Sequence, residues 1–273
     1  MSSNPNPYES QQVEEIRSWK TEEPGVVGKA VGFVTAPVAW LVNKLIPDAA
    51  IEGVLSGASK AAEALADEGD VLRDTKANRI EDISLLPLEA CDAVANSVHN
   101  WAVGIGIGMG GGTGSIGLPG LIADMPLTIT LALRTIHKCG LCYGFRCTSD
   151  EDTQFALGIP SASGANTVAE KAAALATLRS VQVAIANQTW KAMTEKAVES
   201  TLSREAGVIG IRSLAKQLGV NLTKRKALQA IPVIGAAVGA SATGWYVKEV
   251  GWAARRSFQE RLLIKKRILS GPI

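Results

Sequence analysis

Histidine and aromatic residues are scarce in this 273-residue chain. It contains two histidines, His99 and His137, and only 5% of its residues are aromatic. Two histidines leave little room for the metal sites and proton relays that depend on imidazole. Apolar residues make up 47% of the chain and are mostly Ala, Val, Leu, Ile and Gly. Small and aliphatic residues of this kind favour closely packed helices over an aromatic-rich β-sandwich.

A strong excess of charge and a secretion signal are also lacking. The formal net charge is +2, which argues against nucleic acid as a partner. The polar, acidic N-terminus has neither the basic start nor the apolar run of a signal peptide. We therefore expect a cytoplasmic protein with reduced thiols. Its mean hydropathy of +0.14 is high for a soluble protein and hints at contact with a membrane.

No known catalytic or nucleotide-binding motif is complete. Residues 103–124 read VGIGIGMGGGTGSIGLPGLIAD, but a phosphate-binding loop needs a lysine, and none lies between His99 and Lys138. A G-x-G-x-x-G match begins at Gly106, yet the residues before it look helical instead of forming the required strand. We therefore expect no cofactor, and we interpret the glycines as a tight, flexible turn between two packed helices.

Three of the four cysteines lie close to a histidine. Cys139 and Cys142 are one helical turn apart, with His137 before them and Cys147 after them. The spacing fits part of a zinc site or a redox pair, but a second Cys-x-x-Cys pair and a thioredoxin-like context are missing. The pattern favours small buried thiols, and no metal site is predicted.

The hydrophobic pattern predicts an all-α, multi-helix bundle, since no segment alternates regularly as a strand does. We expect a disordered tail over residues 1–8 and a single helical domain over residues 9–273. Charged residues in 69–82 suggest a surface loop. The main predicted helices are 8–22, one from Pro87 that ends in the glycine run, 118–143, 148–158, 165–194 and 232–269.

Two uncharged stretches are long enough to cross a bilayer. Residues 93–123 and 227–247 contain no Asp, Glu, Lys or Arg, and about 20 apolar residues span a membrane. Glycine and proline interrupt both stretches. They therefore suit helical hairpins that dip into a bilayer or that are buried in protein. The spacing of Gly235 and Gly239 lets two helices approach closely.

Asp124 is the most interesting ionisable residue, because it closes the first uncharged stretch. Arg134 follows ten residues later on a similar helical face, about 15 Å away by helix rise. A charge in apolar surroundings needs a partner or a function. A cap or a salt bridge is the simpler interpretation. The alternative is an acid that acts with His137 or His99 in catalysis.

The end of the chain alternates basic and apolar residues. Such a helix suits an anionic membrane surface, although basic residues also favour the C-terminal end of a helix dipole. The residues predicted to contact a membrane are Trp252, Arg255, Arg256, Lys265, Lys266 and Arg267.

Two segments resemble the EcsC protein family. Residues 117–145 read GLPGLIADMPLTITLALRTIHKCGLCYGF, and residues 231–240 read IPVIGAAVGA ahead of a basic helix. The chain departs from the family pattern at Thr243, near which relatives tend to carry Asn. The residues that carry the resemblance are Gly117, Leu118, Pro119, Asp124, Pro126, Arg134, Pro232, Gly235 and Gly239.

The resemblance implies a helical, membrane-associated accessory protein of bacterial type, linked to transport or secretion, and it supplies no catalytic residues. We therefore expect a protein that accompanies or perturbs a membrane, with lipid or a membrane protein as its partner. One alternative is a hydrolase acting on lipid or peptide. The other is a soluble helical scaffold for partner proteins, in which residues 227–247 are fully covered by protein.

Overall fold

The computed structural model describes residues 4–22, 66–114, 118–148, 150–163, 171–176, 178–179 and 235–273. Every regular element in these residues is an α-helix, which confirms the all-α prediction. Residues 23–65 and 180–234, which include the first eight residues of the second uncharged stretch, lie outside the described part. The helices are α1 (Pro7–Thr21), α2 (Glu68–Thr75), α3 (Ile80–Ile83), α4 (Leu88–Gly114), α5 (Leu118–Cys142), α6 (Asp150–Ser163) and α7 (Gly235–Lys265).

Helix α7 is the centre of the described fold. It packs most extensively against α4 and also contacts α5 and α6. Helices α4 and α7 run antiparallel, because Gly106 lies beside Gly244 while His99 lies beside Gly251. The core around α7 is made of fully buried apolar side chains from several helices, which include Leu133, Tyr143, Phe155 and Phe258.

The glycine run is helical as far as Gly114, so the prediction of a turn over these residues is wrong. Tertiary packing overrides the low helix propensity of glycine here. A Cβ atom on Gly106 would lie 3.3 Å from the Cα atom of Gly244, and one on Gly244 would lie 2.4 Å from Cγ1 of Ile107. These two glycines let α4 and α7 approach closely, whereas Gly104 and Gly108 face open space.

The prediction of a surface loop over residues 69–82 is also wrong, because α2 and α3 occupy this segment. Asp67 caps α2 by accepting a 2.8 Å hydrogen bond from the Gly69 amide. Val71, Ile80 and Ile83 are buried. These well-spaced apolar residues help to dock a highly charged segment onto the core.

Helix α1 begins at Pro7, within the stretch predicted to be a tail. Asn6 and Glu9 form a capping box, in which each side chain accepts a hydrogen bond from the backbone amide of the other. Tyr8 reaches the core and donates to Asp92 at 2.8 Å.

Helix α5 matches its predicted range to within one residue and ends in a glycine cap. Gly144 has φ +81°, and the Phe145 amide donates to the Gly140 carbonyl at 2.9 Å. A Cβ atom on Gly144 would lie 2.7 Å from the Ser84 amide nitrogen. Helix α7 ends at Lys265, four residues before its predicted end, and Arg267 adopts a left-handed conformation. The described helices include none that is both long and apolar enough to cross a membrane.

Candidate functional site

The hairpin formed by α4 and α5 exposes apolar side chains between the middle of α4 and its closed end. The side chains of Trp101, Ile107 and Leu127 are 54%, 49% and 53% exposed. A surface helix normally presents charged residues to water on the face opposite the core. Here the exposed positions of α4 from residue 100 onward, where the structure describes them, are Asn100, Trp101, Gly104, Ile107, Gly108 and Gly112.

The opposite face of this hairpin end is also apolar. Ala102, Leu131 and Val247 are buried together between α4, α5 and α7. The end of the hairpin is therefore apolar on its inner and its outer described surfaces. We call its exposed part, formed by Gly104, Ile107, Gly108 and Leu127, the hairpin tip, and Trp101 lies at its border.

A charged cleft of about 210 Å³ opens where the hairpin tip ends. Arg134 and Lys138 enter it from α5, where their i,i+4 spacing places them on one face. Trp101 enters from α4. The other lining residues are Asp70, Val71, Arg73 and Asp74 of α2 and Val94, Ser97 and Val98 of α4.

Opposite charges meet in this cleft. The Lys138 ammonium donates to Asp70 at 2.9 Å, and Arg73 donates to the other oxygen of Asp70 at 2.7 Å. The Arg134 guanidinium lies over the indole ring of Trp101, with 4.5 Å between its Cζ atom and the ring centroid. This cation–π contact leaves Trp101 half exposed at the mouth of the cleft.

Two pKa shifts reflect these surroundings. The hydrogen bonds from Lys138 and then Arg73 lower the pKa of Asp70, so its carboxylate stays ionised. Partial burial lowers the pKa of Arg134, while Asp70 and Asp67 act in the opposite sense. An arginine remains protonated in proteins. The cleft therefore holds a partly desolvated, permanent positive charge.

The cleft and the tip are close neighbours along both helices. Ile107 follows Trp101 by six residues, or about 9 Å of helix rise, and Leu127 precedes Arg134 by seven, or about 10 Å. Among the described residues, the surface from Ile107 and Leu127 to the mouth of the cleft is therefore uncharged, and the charged cleft follows it.

A buried polar network lies at the other end of α4. Asp92 is 3% exposed and accepts hydrogen bonds from Tyr143 at 2.6 Å, from Tyr8 at 2.8 Å and from Gln259 at 2.7 Å. Each donor comes from a different helix or helix end. Because its hydrogen bonds are made within the protein, we interpret the network as structural.

The basic residues of α7 do not form the predicted membrane-facing surface at Arg255 and Arg256, which are 8% and 7% exposed. Arg255 donates to Asn96 at 3.0 Å, and Arg256 donates to Gln12 at 2.8 Å. Both guanidinium groups also pack on the partly buried ring of Trp252. The alternation of basic and apolar residues here reflects α7 being surrounded by other helices, which supply polar partners on several sides.

The three later basic residues lie at the end of α7 and beyond it. Lys265 donates to the Ser84 hydroxyl at 2.9 Å, and Lys266 donates to the Leu86 carbonyl at 2.6 Å. Arg267 is exposed. Two of the three therefore tie the C-terminal segment to the turn before α4, and their contact with a membrane stays a prediction.

Both histidines are buried, at 3% for His99 and 5% for His137. His99 lies edge-on to Trp252, with 5.6 Å between the ring centroids. Neither nitrogen of His99 makes a well-formed hydrogen bond, although the Lys248 backbone is close. Burial, and then the charge of Arg255, lowers the pKa of His99 to about 4, so its ring is neutral at pH 7. Neither histidine lines the charged cleft.

All four cysteines are buried as free thiols. Burial raises the pKa of Cys91 to about 11 and that of Cys139 to about 12, which keeps them protonated. Cys142 donates to the Lys138 carbonyl at 3.1 Å. No group of three possible metal ligands occurs among the described residues. This placement matches the interpretation of the cysteines as small buried thiols.

The residues that carry the family resemblance are only partly placed. Leu118 and Pro119 form the first turn of α5, where a proline is well tolerated. Pro126 is inside α5, and its carbonyl accepts a 2.8 Å hydrogen bond from the Thr130 hydroxyl. Gly235 and Gly239 are in the first turns of α7. Gly117, Pro232 and the side chain of Asp124 lie outside the described residues.

Sequence reasoning found Arg134 but missed its surroundings. Trp101 lies within the uncharged stretch and was not predicted to belong to a site. Lys138 was considered only as a neighbour of the cysteines. Asp70 and Asp74 were assigned to a loop. The available signal was the i,i+4 pair of Arg134 and Lys138, since two cations on one face of an otherwise apolar helix need acidic or polar neighbours.

Comparisons with curated proteins and with solved structures find no match to the chain. A comparison with models of protein families agrees with the resemblance. The model of the EcsC protein family matches residues 10–263, which is nearly the whole chain and includes the hairpin, the cleft and nearly all of α7. The chain belongs to the EcsC protein family.

Proposed function

We propose that this protein attaches to one face of a membrane by inserting its hairpin tip into the lipid interface. The observation that carries the proposal is the uncharged exposed surface of α4 and α5, with three large apolar side chains about half exposed. A contiguous apolar surface on a folded protein marks a site of contact with a partner or a membrane.

The energy available from the tip suits reversible attachment. Fully burying a Leu, Ile or Phe side chain contributes about 1.5–3 kcal/mol. Since Trp101, Ile107 and Leu127 are already half covered, each contributes about 1 kcal/mol on insertion. Together they supply roughly 3 kcal/mol, which is a useful but modest share of membrane binding.

The arrangement of residues along the hairpin fits the layers of a bilayer. Tryptophan favours the level of the lipid headgroups, where its ring is half apolar and half wet. Trp101 lies between the apolar tip and the cations of the cleft. Arg134 and Lys138 would then lie at the headgroup level while Ile107 and Leu127 enter the hydrocarbon edge. Attached in this way, the protein would act as an accessory to transport or secretion, the role that the family resemblance implies.

The hydrolase alternative has less support. It needs Asp124 to work with His137 or His99, but both histidines are buried and neither opens into the charged cleft. The scaffold alternative predicts that residues 227–247 are covered by protein. Of these, Thr243, Gly244, Tyr246 and Val247 are buried, while residues 227–234 lie outside the described part.

Flotation with vesicles tests the proposal. The purified protein is mixed with vesicles of phosphatidylcholine and phosphatidylglycerol and centrifuged through a density gradient, with and without a high-salt wash. We expect the wild type to float and to resist the wash, because apolar contacts are not screened by salt. A double variant, Ile107→Ser with Leu127→Ser, loses about 2 kcal/mol of burial, which weakens binding about 30-fold.

Leu85→Ser is the matched control. Leu85 is 82% exposed and precedes α4, at the end of the hairpin remote from the tip. It is therefore expected to float like the wild type. A wild type that stays at the bottom of the gradient with every vesicle would overturn the proposal, and so would an equal loss of binding in the Leu85 variant.

A further inference from the structure

We infer that protonation of His99 loosens the packing of α4 on α7, which makes this pair of helices sensitive to acid. His99 comes from the middle of α4 and is 3% exposed where α4 meets α7. The contact between α4 and α7 is the most extensive one among the described helices. A charge that forms within it therefore acts on the centre of the described fold. The switch is independent of membrane attachment, which depends on the exposed surface of the hairpin.

The His99 ring lies directly against the backbone of α7. A Cβ atom on Gly251 would lie 2.4 Å from Cδ2 and 2.7 Å from Nε2 of the ring. The ring is also edge-on to Trp252, with 5.6 Å between the ring centroids. Neither ring nitrogen makes a well-formed hydrogen bond, although the Lys248 backbone is close. An imidazolium formed here would therefore be cut off from water until the two helices move apart.

The charges that act on His99 are both positive. Arg255 and then Lys248, which both come from α7, disfavour a further positive charge on the ring, and no carboxylate among the described residues compensates them. The last carboxylate of α4, that of Asp92, lies seven residues earlier and accepts hydrogen bonds from other side chains. Cys139 of α5, which the charge of Arg255 also reaches, is a protonated thiol. A protonated His99 would thus be a buried cation beside another cation.

The direction of the pH effect follows from the two states of the interface. Burial, and then the charge of Arg255, lowers the pKa of His99 to about 4 in the folded protein. A histidine exposed to water has a pKa of about 6.5. Between these two values the open form takes up a proton that the packed form does not. Opening is therefore favoured as the pH falls from about 6.5 to about 4, and its equilibrium constant rises about 8-fold from pH 7 to pH 5.5.

Hydrogen exchange of the full chain tests the switch. Exchange of the backbone amides in residues 99–110 and 244–255 is measured by mass spectrometry at pH 7 and pH 5.5, with a correction for the intrinsic effect of pH on exchange. We expect protection of both segments in the wild type to fall by about 8-fold, because exchange reports the opening equilibrium. The same segments in His99→Gln should change by less than about 2-fold, since glutamine does not titrate.

Glu14→Gln is the matched control. It removes a carboxylate from α1 at a side chain that is 74% exposed, and it should keep the full response of the wild type. An equal pH response in the wild type and in His99→Gln would overturn the inference. An equal loss of protection in α6 would also overturn it, because acid would then act on the whole fold instead of on the α4–α7 contact.

A second measurement needs no variant. The chain has two histidines, so two Cε1 proton signals are followed by nuclear magnetic resonance from pH 8 to pH 4. We expect one of them to stay at the position of a neutral ring until the pH is below about 5. If both signals titrate with midpoints near 6.5, the inference is overturned, even where His99→Gln does not fold.

Discussion

At the scale of single residues, Asp92 is a buried carboxylate that needs several hydrogen-bond donors at once. Its carboxylate is nearly inaccessible to water and depends on hydrogen bonds from Tyr8, Tyr143 and Gln259. A buried charge is expensive unless it is fully paired, and breaking such an arrangement costs several kcal/mol. Asp92 has all of these partners only when α1 and the C-terminal end of α5 are docked. We therefore expect the stability of the α4–α7 pair to depend on that docking.

We predict that Asp92→Asn lowers the free energy of unfolding by about 3 kcal/mol. The amide keeps one good acceptor and directs an NH₂ group at donors from Tyr8, Tyr143 or Gln259. Urea denaturation followed by circular dichroism measures the change. Glu14→Gln, at a side chain that is 74% exposed, serves as the control and should shift stability by less than about 0.5 kcal/mol. Equal midpoints for the two variants would refute a structural role for the network.

At the scale of helices, the glycines of α4 lie on two faces that have different structural roles. Gly106 and Gly244 bring α4 and α7 together, while Gly104 and Gly108 face outward with nothing near them. A glycine inside a helix costs about 1 kcal/mol relative to alanine. The inward glycines are explained by the close approach of two backbones. The outward glycines gain nothing within the described fold, and they contribute to the uncharged surface of the tip.

We predict opposite signs for two alanine substitutions. Gly244→Ala would place a Cβ atom 2.4 Å from Cγ1 of Ile107 and should lower stability by about 1–3 kcal/mol through overpacking. Gly108→Ala meets no atom within 4 Å and should raise stability by up to about 1 kcal/mol through helix propensity. Thermal denaturation of the two variants provides the comparison. A stabilised Gly244 variant would mean that the two helices do not meet closely.

At the scale of the whole molecule, periodicity was sufficient for the fold class and for helices α1, α5 and α7. The bounds of α5 were predicted well, because its apolar pattern is strong and Pro119 and Gly144 mark its ends. The helix through the glycine run was missed, since local propensity disfavours it and its packing against α7, as at Gly244, is a tertiary contact. Helices α2 and α3 were missed because their many charges conceal the few apolar residues that dock them.

The candidate site was predictable only in part. Arg134 was recognisable as a cation in an otherwise apolar helix, but several of its neighbours come from α2 and α4, and their pairing depends on tertiary contacts. The basic helix was misleading for a similar reason. Arg255 and Arg256 look like a membrane-facing surface in sequence, yet both are buried and donate to side chains of other helices, Gln12 of α1 and Asn96 of α4.

The most direct test of the account places a polarity-sensitive dye on the hairpin tip. Gly108→Cys faces open space, and the four native cysteines are buried free thiols, so a maleimide dye should react with the new cysteine selectively. On addition of phosphatidylglycerol-containing vesicles we predict a blue-shifted, brighter emission that brominated lipids quench, with no change for the same dye at Leu85→Cys. An unchanged emission at position 108, or an equal response at position 85, would contradict insertion of the tip.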